Sequence, residues 1–176
     1  MREKEDLRIR KTKATLYKSY IELISSKNKE QIKISDICKK ANINRSTFYD
    51  HFKDKESLAT SLLQSIEEDI KDELNKIAKT EELNDYLLKI IKRAKKIIQE
   101  NTIIKKLLKS NPTLIHQLFS NIIKEIIIKE LKNEYTNIPI ESYALFYSEG
   151  LTSLLLNQDN NVIELEGFKS ILPNKK

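Results

Sequence analysis

Arg45, Ser46 and Tyr49 fall within five residues of one another, and their side chains are of the types that reading DNA base edges requires. Arginine can donate a bidentate pair of hydrogen bonds to guanine, serine can bond either kind of base, and tyrosine carries its hydroxyl on a rigid ring. On a helix these three lie on one outward region with Lys53, while Phe48 and Phe52, four apart, share a neighbouring face. Burying the aromatic face would present the polar one, as a helix entering a major groove must. Thr47, His51, Lys53 and Lys55 surround it with groups suited to phosphate oxygens. Asp50 is the odd member. Its carboxylate could accept from a cytosine amine or restrain Lys53 three residues on.

Presenting that surface requires residues 34–56 to form two short helices joined by a tight turn, and then the start of a third. The first helix is expected over Ser35 to Ala41, with Ile34, Ile37 and Ala41 on one side. Asn42 sits where the chain must turn, and asparagine is among the few residues that tolerate the left-handed conformation. Asn44 is the expected N-cap of the second helix, Arg45 to Phe52, and Asp54 that of a long helix reaching about Lys79. Lys33 has no acceptor with which to cap the first helix, a deficit of about 1 kcal/mol. Asp36 favours the dipole there, which leaves Lys33 to a phosphate.

The order Ile43-Asn44-Arg45-Ser46-Thr47-Phe48-Tyr49-Asp50-His51-Phe52-Lys53-Asp54-Lys55 closely resembles the signature of the TetR family of transcriptional regulators. Thr47-Phe48-Tyr49, His51-Phe52 and Lys55 carry the resemblance, behind a helix containing Asp36-Ile37. It covers roughly the first 60 residues by motif, and the remainder by length and helical pattern alone. The resemblance implies an all-α fold of about nine helices. An N-terminal three-helix helix-turn-helix DNA-binding domain, residues 1–55, would join a C-terminal helical effector-binding and dimerisation domain, residues 56–176. It also implies that Ser35 can reach a base and that the fourth helix transmits state between the domains. Such a homodimer reads a palindromic operator in double-stranded DNA. The family usually places threonine at the position of Lys33, so this chain departs from the pattern there.

Charge agrees with that division. Residues 1–55 hold 15 Lys and Arg against 8 Asp and Glu, a net of +7, whereas residues 56–176 carry a net of −1. An excess confined to the motif segment suits an anionic partner. With 2 Gly and 3 Pro in 176 residues, and apolar residues recurring at helical spacing, an all-α protein is expected. One cysteine, Cys38, gives no intramolecular disulfide framework and suits a reducing cytoplasm. No charged-then-apolar leader and no uncharged 18-residue apolar run occurs, so neither export nor a membrane partner is expected. His51 and His116 fall in different expected domains, with no Glu-His or Cys-His pair at ligand spacing and no phosphate or nucleophile-elbow loop. No enzyme, cofactor or metal is expected.

Along the chain, a first helix is expected over Leu7 to Ser26. Its start bears Arg8, Arg10, Lys11 and Lys13, which oppose the helix dipole unless an anionic partner compensates. Further helices are expected from Leu83 to Asn101, over Ile103 to Leu108, from Asn111-Pro112 through Leu131, from Glu141 to Asn157, and from Val162 to Leu172. By the resemblance, the last two pair across a two-fold, which makes Phe146, Tyr147, Leu151, Leu154, Leu155, Phe168 and Ile171 dimer-interface candidates. Tyr86, His116, Gln117, Tyr143 and Tyr147 are candidates to orient a small apolar effector in an Ile- and Leu-rich core. The expected function is a dimeric repressor released from its operator by that effector. The alternative is a core that recruits a protein partner, for activation or DNA organisation, without a small molecule.

Overall fold

A 3.6-residue apolar period runs through nearly every segment, and the computed structural model is helical to match. It describes residues 2–26, 29–80, 83–134 and 139–157. Among these there are eight α-helices and no strand: α1 (Arg2–Ile24), α2 (Ile34–Ala41), α3 (Arg45–Tyr49), α4 (Lys55–Asn75), α5 (Leu83–Glu100), α6 (Thr102–Ser110), α7 (Pro112–Glu134) and α8 (Ile140–Leu156). A 3-10 turn, Lys29–Gln31, precedes α2. The helix expected over Val162 to Leu172, with Phe168 and Ile171, lies outside the described residues. The first helix starts at Arg2, five residues before its expected start, because the stretch before Leu7 is rich in good helix formers and holds no Gly or Pro.

The chain divides into two compact units, residues 1–66 and 67–176, and the division falls inside α4. In the first unit α1 packs on α2, and α2 on α3. Leu16, Tyr20, Ile21 and Leu23 of α1 are buried with Ile37, Cys38 and Ala41 of α2 and with Phe48, Phe52, Leu58 and Leu62. Each large apolar side chain contributes about 1.5–3 kcal/mol by leaving water. Ala14 of α1 is exposed, whereas Leu16, two residues on, is fully buried.

In the second unit the most extensive helix pairing is α7 on α8. Ile115, Phe119, Ile122, Ile123, Ile127 and Leu131 of α7 are fully buried, and Ala144, Tyr147, Leu151 and Leu155 of α8 are buried too. The starts of α6 and α7 are set by asparagines. Asn101 Oδ1 accepts from the N–H groups of Ile103 and Ile104, at 2.9 and 3.1 Å, and Asn111 Oδ1 from that of Leu114 at 3.1 Å. Ion pairs join Lys71 of α4 to Glu125 of α7 at 2.6 Å, and Glu73 of α4 to Arg93 of α5. Among the described residues no helix is long and apolar enough to cross a membrane.

Candidate nucleic-acid interface

The turn between α2 and α3 is the local feature that aims the candidate surface. Asn42 adopts φ 53° and ψ 48°, the left-handed conformation expected of it, and its N–H bonds back to the Lys39 carbonyl at 3.3 Å. The Ile43 N–H reaches the Cys38 carbonyl at 3.1 Å, which closes the end of α2. Cys38 is buried in that helix, and burial pushes its thiol up, so it serves as a small apolar side chain rather than a thiolate.

At the start of α2 the Asp36 carboxylate accepts from the Lys33 N–H at 3.2 Å. That bond partly offsets the missing acceptor of Lys33, whose side chain is exposed, as is that of Ser35. Asn44 occupies the N-cap position of α3 with extended backbone, but its side chain makes no capping bond. The α-helix of α3 runs only from Arg45 to Tyr49, shorter than the expected Arg45 to Phe52. Turn hydrogen bonds from the His51 and Phe52 N–H groups to the Phe48 carbonyl, at 3.0 and 2.9 Å, carry the coil on to Phe52.

That geometry separates two faces. Phe48 and Phe52 are buried, their rings 5.9 Å apart. Arg45, Ser46 and Lys53 are exposed, and Tyr49 is 54% exposed while its ring meets Phe48 edge-on at 5.5 Å. Thr47 and His51 are half-buried at the border, and Asp50 is exposed. Lys55 has a structural partner that the sequence does not reveal: its Nζ donates to the Ile32 carbonyl at 3.0 Å, tying the first turn of α4 to the segment entering α2. Asp54 caps α4 as expected, Oδ1 accepting from the Ser57 N–H at 2.7 Å, while Ser57 Oγ accepts from the Asp54 N–H at 3.1 Å. The Ser57 N–H is the main influence holding the Asp54 carboxyl below its ordinary value.

In the second unit the candidate effector residues are carried by α5, α7 and α8. The rings of Tyr143 and Tyr147 of α8 meet at a tilt of 40°, their centroids 4.3 Å apart. Tyr86 of α5 is buried near the Lys79–Glu130 ion pair, and burial raises its hydroxyl pKa. Gln117 is exposed on α7. His116 lies in a polar seam between α7 and α8: its Nε2 is 3.4 Å from Ser153 Oγ and its Nδ1 3.8 Å from Glu149, which also accepts from Ser120. His116 also borders an open groove of about 470 Å³ with Leu108, Pro112, Thr113 and Leu156, none of which the sequence marks as an effector candidate. Of the α8 interface candidates, Tyr147, Leu151 and Leu155 are buried within the unit and Leu154 is half-buried. Phe146 is 70% exposed, beside an exposed Leu145. Among the described residues no cluster of three or more His, Cys, Asp or Glu could hold a metal ion.

Residues 21–62, which contain this turn and its flanking helices, match the family model of bacterial regulatory proteins, tetR family. An uncharacterized HTH-type transcriptional regulator of Bacillus subtilis (strain 168), YxbF, is 38% identical over 101 residues, or 55% of this chain. Those residues are 26% of that protein, so this chain spans about a quarter of the length of the curated relative it matches. A TetR transcriptional regulator from Streptococcus agalactiae 2603V has the same fold over 99% of this chain and 100% of its own, with a TM-score of 0.63 and 26% identity. RolR in complex with its ligand resorcinol shares the fold at 17% identity and a TM-score of 0.61, over 95% of this chain and 90% of that one.

Proposed function

The chain belongs to the TetR family of bacterial regulatory proteins, and from that premise we propose that it is a dimeric repressor which binds a palindromic operator and leaves it when a small molecule binds. The observation that carries the DNA reading is the α3 surface: Arg45, Ser46 and Tyr49 exposed above a fully buried Phe48. A groove-entering helix needs that separation of faces. Arg45, Ser46 and Tyr49 read bases, with Ser35 beside them. Lys33, Thr47, His51, Lys53 and Lys55 hold phosphates. The first unit binds DNA; the second dimerises and takes the effector.

The groove beside His116 supports an effector with an apolar body and one hydrogen-bonding group, since its other walls are Leu108, Pro112, Thr113 and Leu156. Similarity to RolR, a protein of this fold with resorcinol bound, supports the same reading. Exposed Phe146 and Leu145 support α8 as the dimer surface.

Selection of genomic fragments by the purified protein tests the function. One fragment class with two-fold symmetry should be enriched, and enrichment of none above random sequence at physiological salt would sink the proposal. On the selected site, Tyr49→Ala should relax specificity. A compound bound in the groove should raise Tm by mass action and lower operator affinity. Phe146→Asp should shift the protein toward monomer in sedimentation equilibrium.

A further inference from the structure

Tyr17 of α1 holds two elements at once. Its hydroxyl lies 2.8 Å from Ser61 Oγ on α4. Its ring lies 6.1 Å, centroid to centroid, from Phe52. Phe52 in turn meets Phe48, and Phe48 meets Tyr49, so ring contacts run without a break from α1 to the exposed tyrosine of α3. Lys13, one helical turn before Tyr17 and therefore on the same side of α1, places its ammonium 5.8 Å from the centre of the Phe52 ring. Every one of these residues lies in the first unit.

Burial alone does not require that hydroxyl. Tyr17 is half-buried, and phenylalanine would fill the same volume against Phe52. What the hydroxyl adds is position, since a hydrogen bond to α4 pins the far end of the ring that packs against Phe52. A five-residue α3 has few backbone bonds with which to hold its own orientation, so its pose depends on the rings packed behind it.

We propose that Tyr17 is a positioning residue for DNA recognition: its hydrogen bond to Ser61 orients Phe52 and, through Phe48, sets where Tyr49 stands. The proposal rests on the DNA-binding reading above, but the pose it describes exists in the free protein and can be measured there.

The test uses the full chain with Tyr17→Phe, Ser61→Ala and the double variant. In the DNA-free protein, amide hydrogen exchange over residues 45–53 should quicken several-fold in each single variant and no further in the double, with α7 and α8 unchanged. On the selected operator each single variant should lose about three- to tenfold in affinity, the worth of one hydrogen bond. Affinity for a random-sequence duplex should stay as in the parent. Unchanged exchange over residues 45–53, additive effects in the double variant, or an equal loss on operator and random duplex would each overturn the proposal. Should the parent prefer no sequence, the DNA reading fails while the exchange measurement still decides for or against the Tyr17–Ser61 link.

Discussion

Phe48 and Tyr49 are neighbours in sequence and opposites in consequence. Phe48 is fully buried, so Phe48→Ala should lower stability by about 3–5 kcal/mol in urea unfolding. Tyr49 stands more than half in solvent, so Tyr49→Ala should keep the parental Tm and lower operator affinity by about 1–3 kcal/mol. Lys55 combines both kinds of role. Losing its ammonium strips the Ile32 carbonyl of a donor, so Lys55→Ala should lower Tm as well as affinity for every sequence, whereas exposed Lys53→Ala should lower affinity alone. Asn42 was legible because its residue type matches one backbone conformation; Asn42→Ala should destabilise by about 1 kcal/mol or less, the part of the left-handed penalty that asparagine relieves. The Lys55–Ile32 and Tyr17–Ser61 contacts were not legible. They join residues 23 and 44 apart, and no local pattern encodes a meeting at that separation.

Helix identities followed the apolar period closely, and the start of α7 followed its Asn111-Pro112 signal, whereas the cap that Asn101 gives α6 was not foreseen. The ends of α3 and α4 did not, because a helix end depends on which carbonyls find donors, and propensity carries little of that information. Tyr49 ends the α-helix of α3 although Phe48 and Phe52 keep the shared face expected of them, since turn hydrogen bonds maintain the rotation. The clasp between α4 and α5 belongs to this scale too. Glu73 pairs with Lys76 at 2.5 Å and with Arg93, and these two, Lys76 first, hold its carboxyl at about 2 against an ordinary 4.5. A depressed carboxyl stabilises above its unfolded pKa and loses that stabilisation as pH falls through the folded one. The Tm difference between the parent and Glu73→Gln should therefore be constant above about pH 5. It should close progressively as pH falls toward 2. A difference that persisted at the acid end would show that Glu73 acts otherwise.

Across the molecule the charge is unevenly shared. The first unit holds 15 Lys and Arg against 9 Asp and Glu, a net of +6, and the second holds 17 of each, so the whole excess of the chain resides in residues 1–66. Binding measured against salt should reflect this. Removing exposed Lys33 or Lys53 should flatten the slope of log affinity against log salt by about one each. Removing exposed Lys89 and Lys92 of α5 should leave it as it is. Composition made that asymmetry visible before any coordinates, whereas the groove beside His116 was hidden, because Leu108, Pro112, Thr113 and Leu156 converge only once α6, α7 and α8 have packed. The shortness of α3 carries a last consequence. Five residues cannot repay the cost of nucleating a helix in water, so a synthetic peptide spanning residues 43–55 should be a coil by circular dichroism and show no operator preference. The conformation of α3 should therefore not survive excision as a fragment. It exists only while α1 and α4 stand behind it.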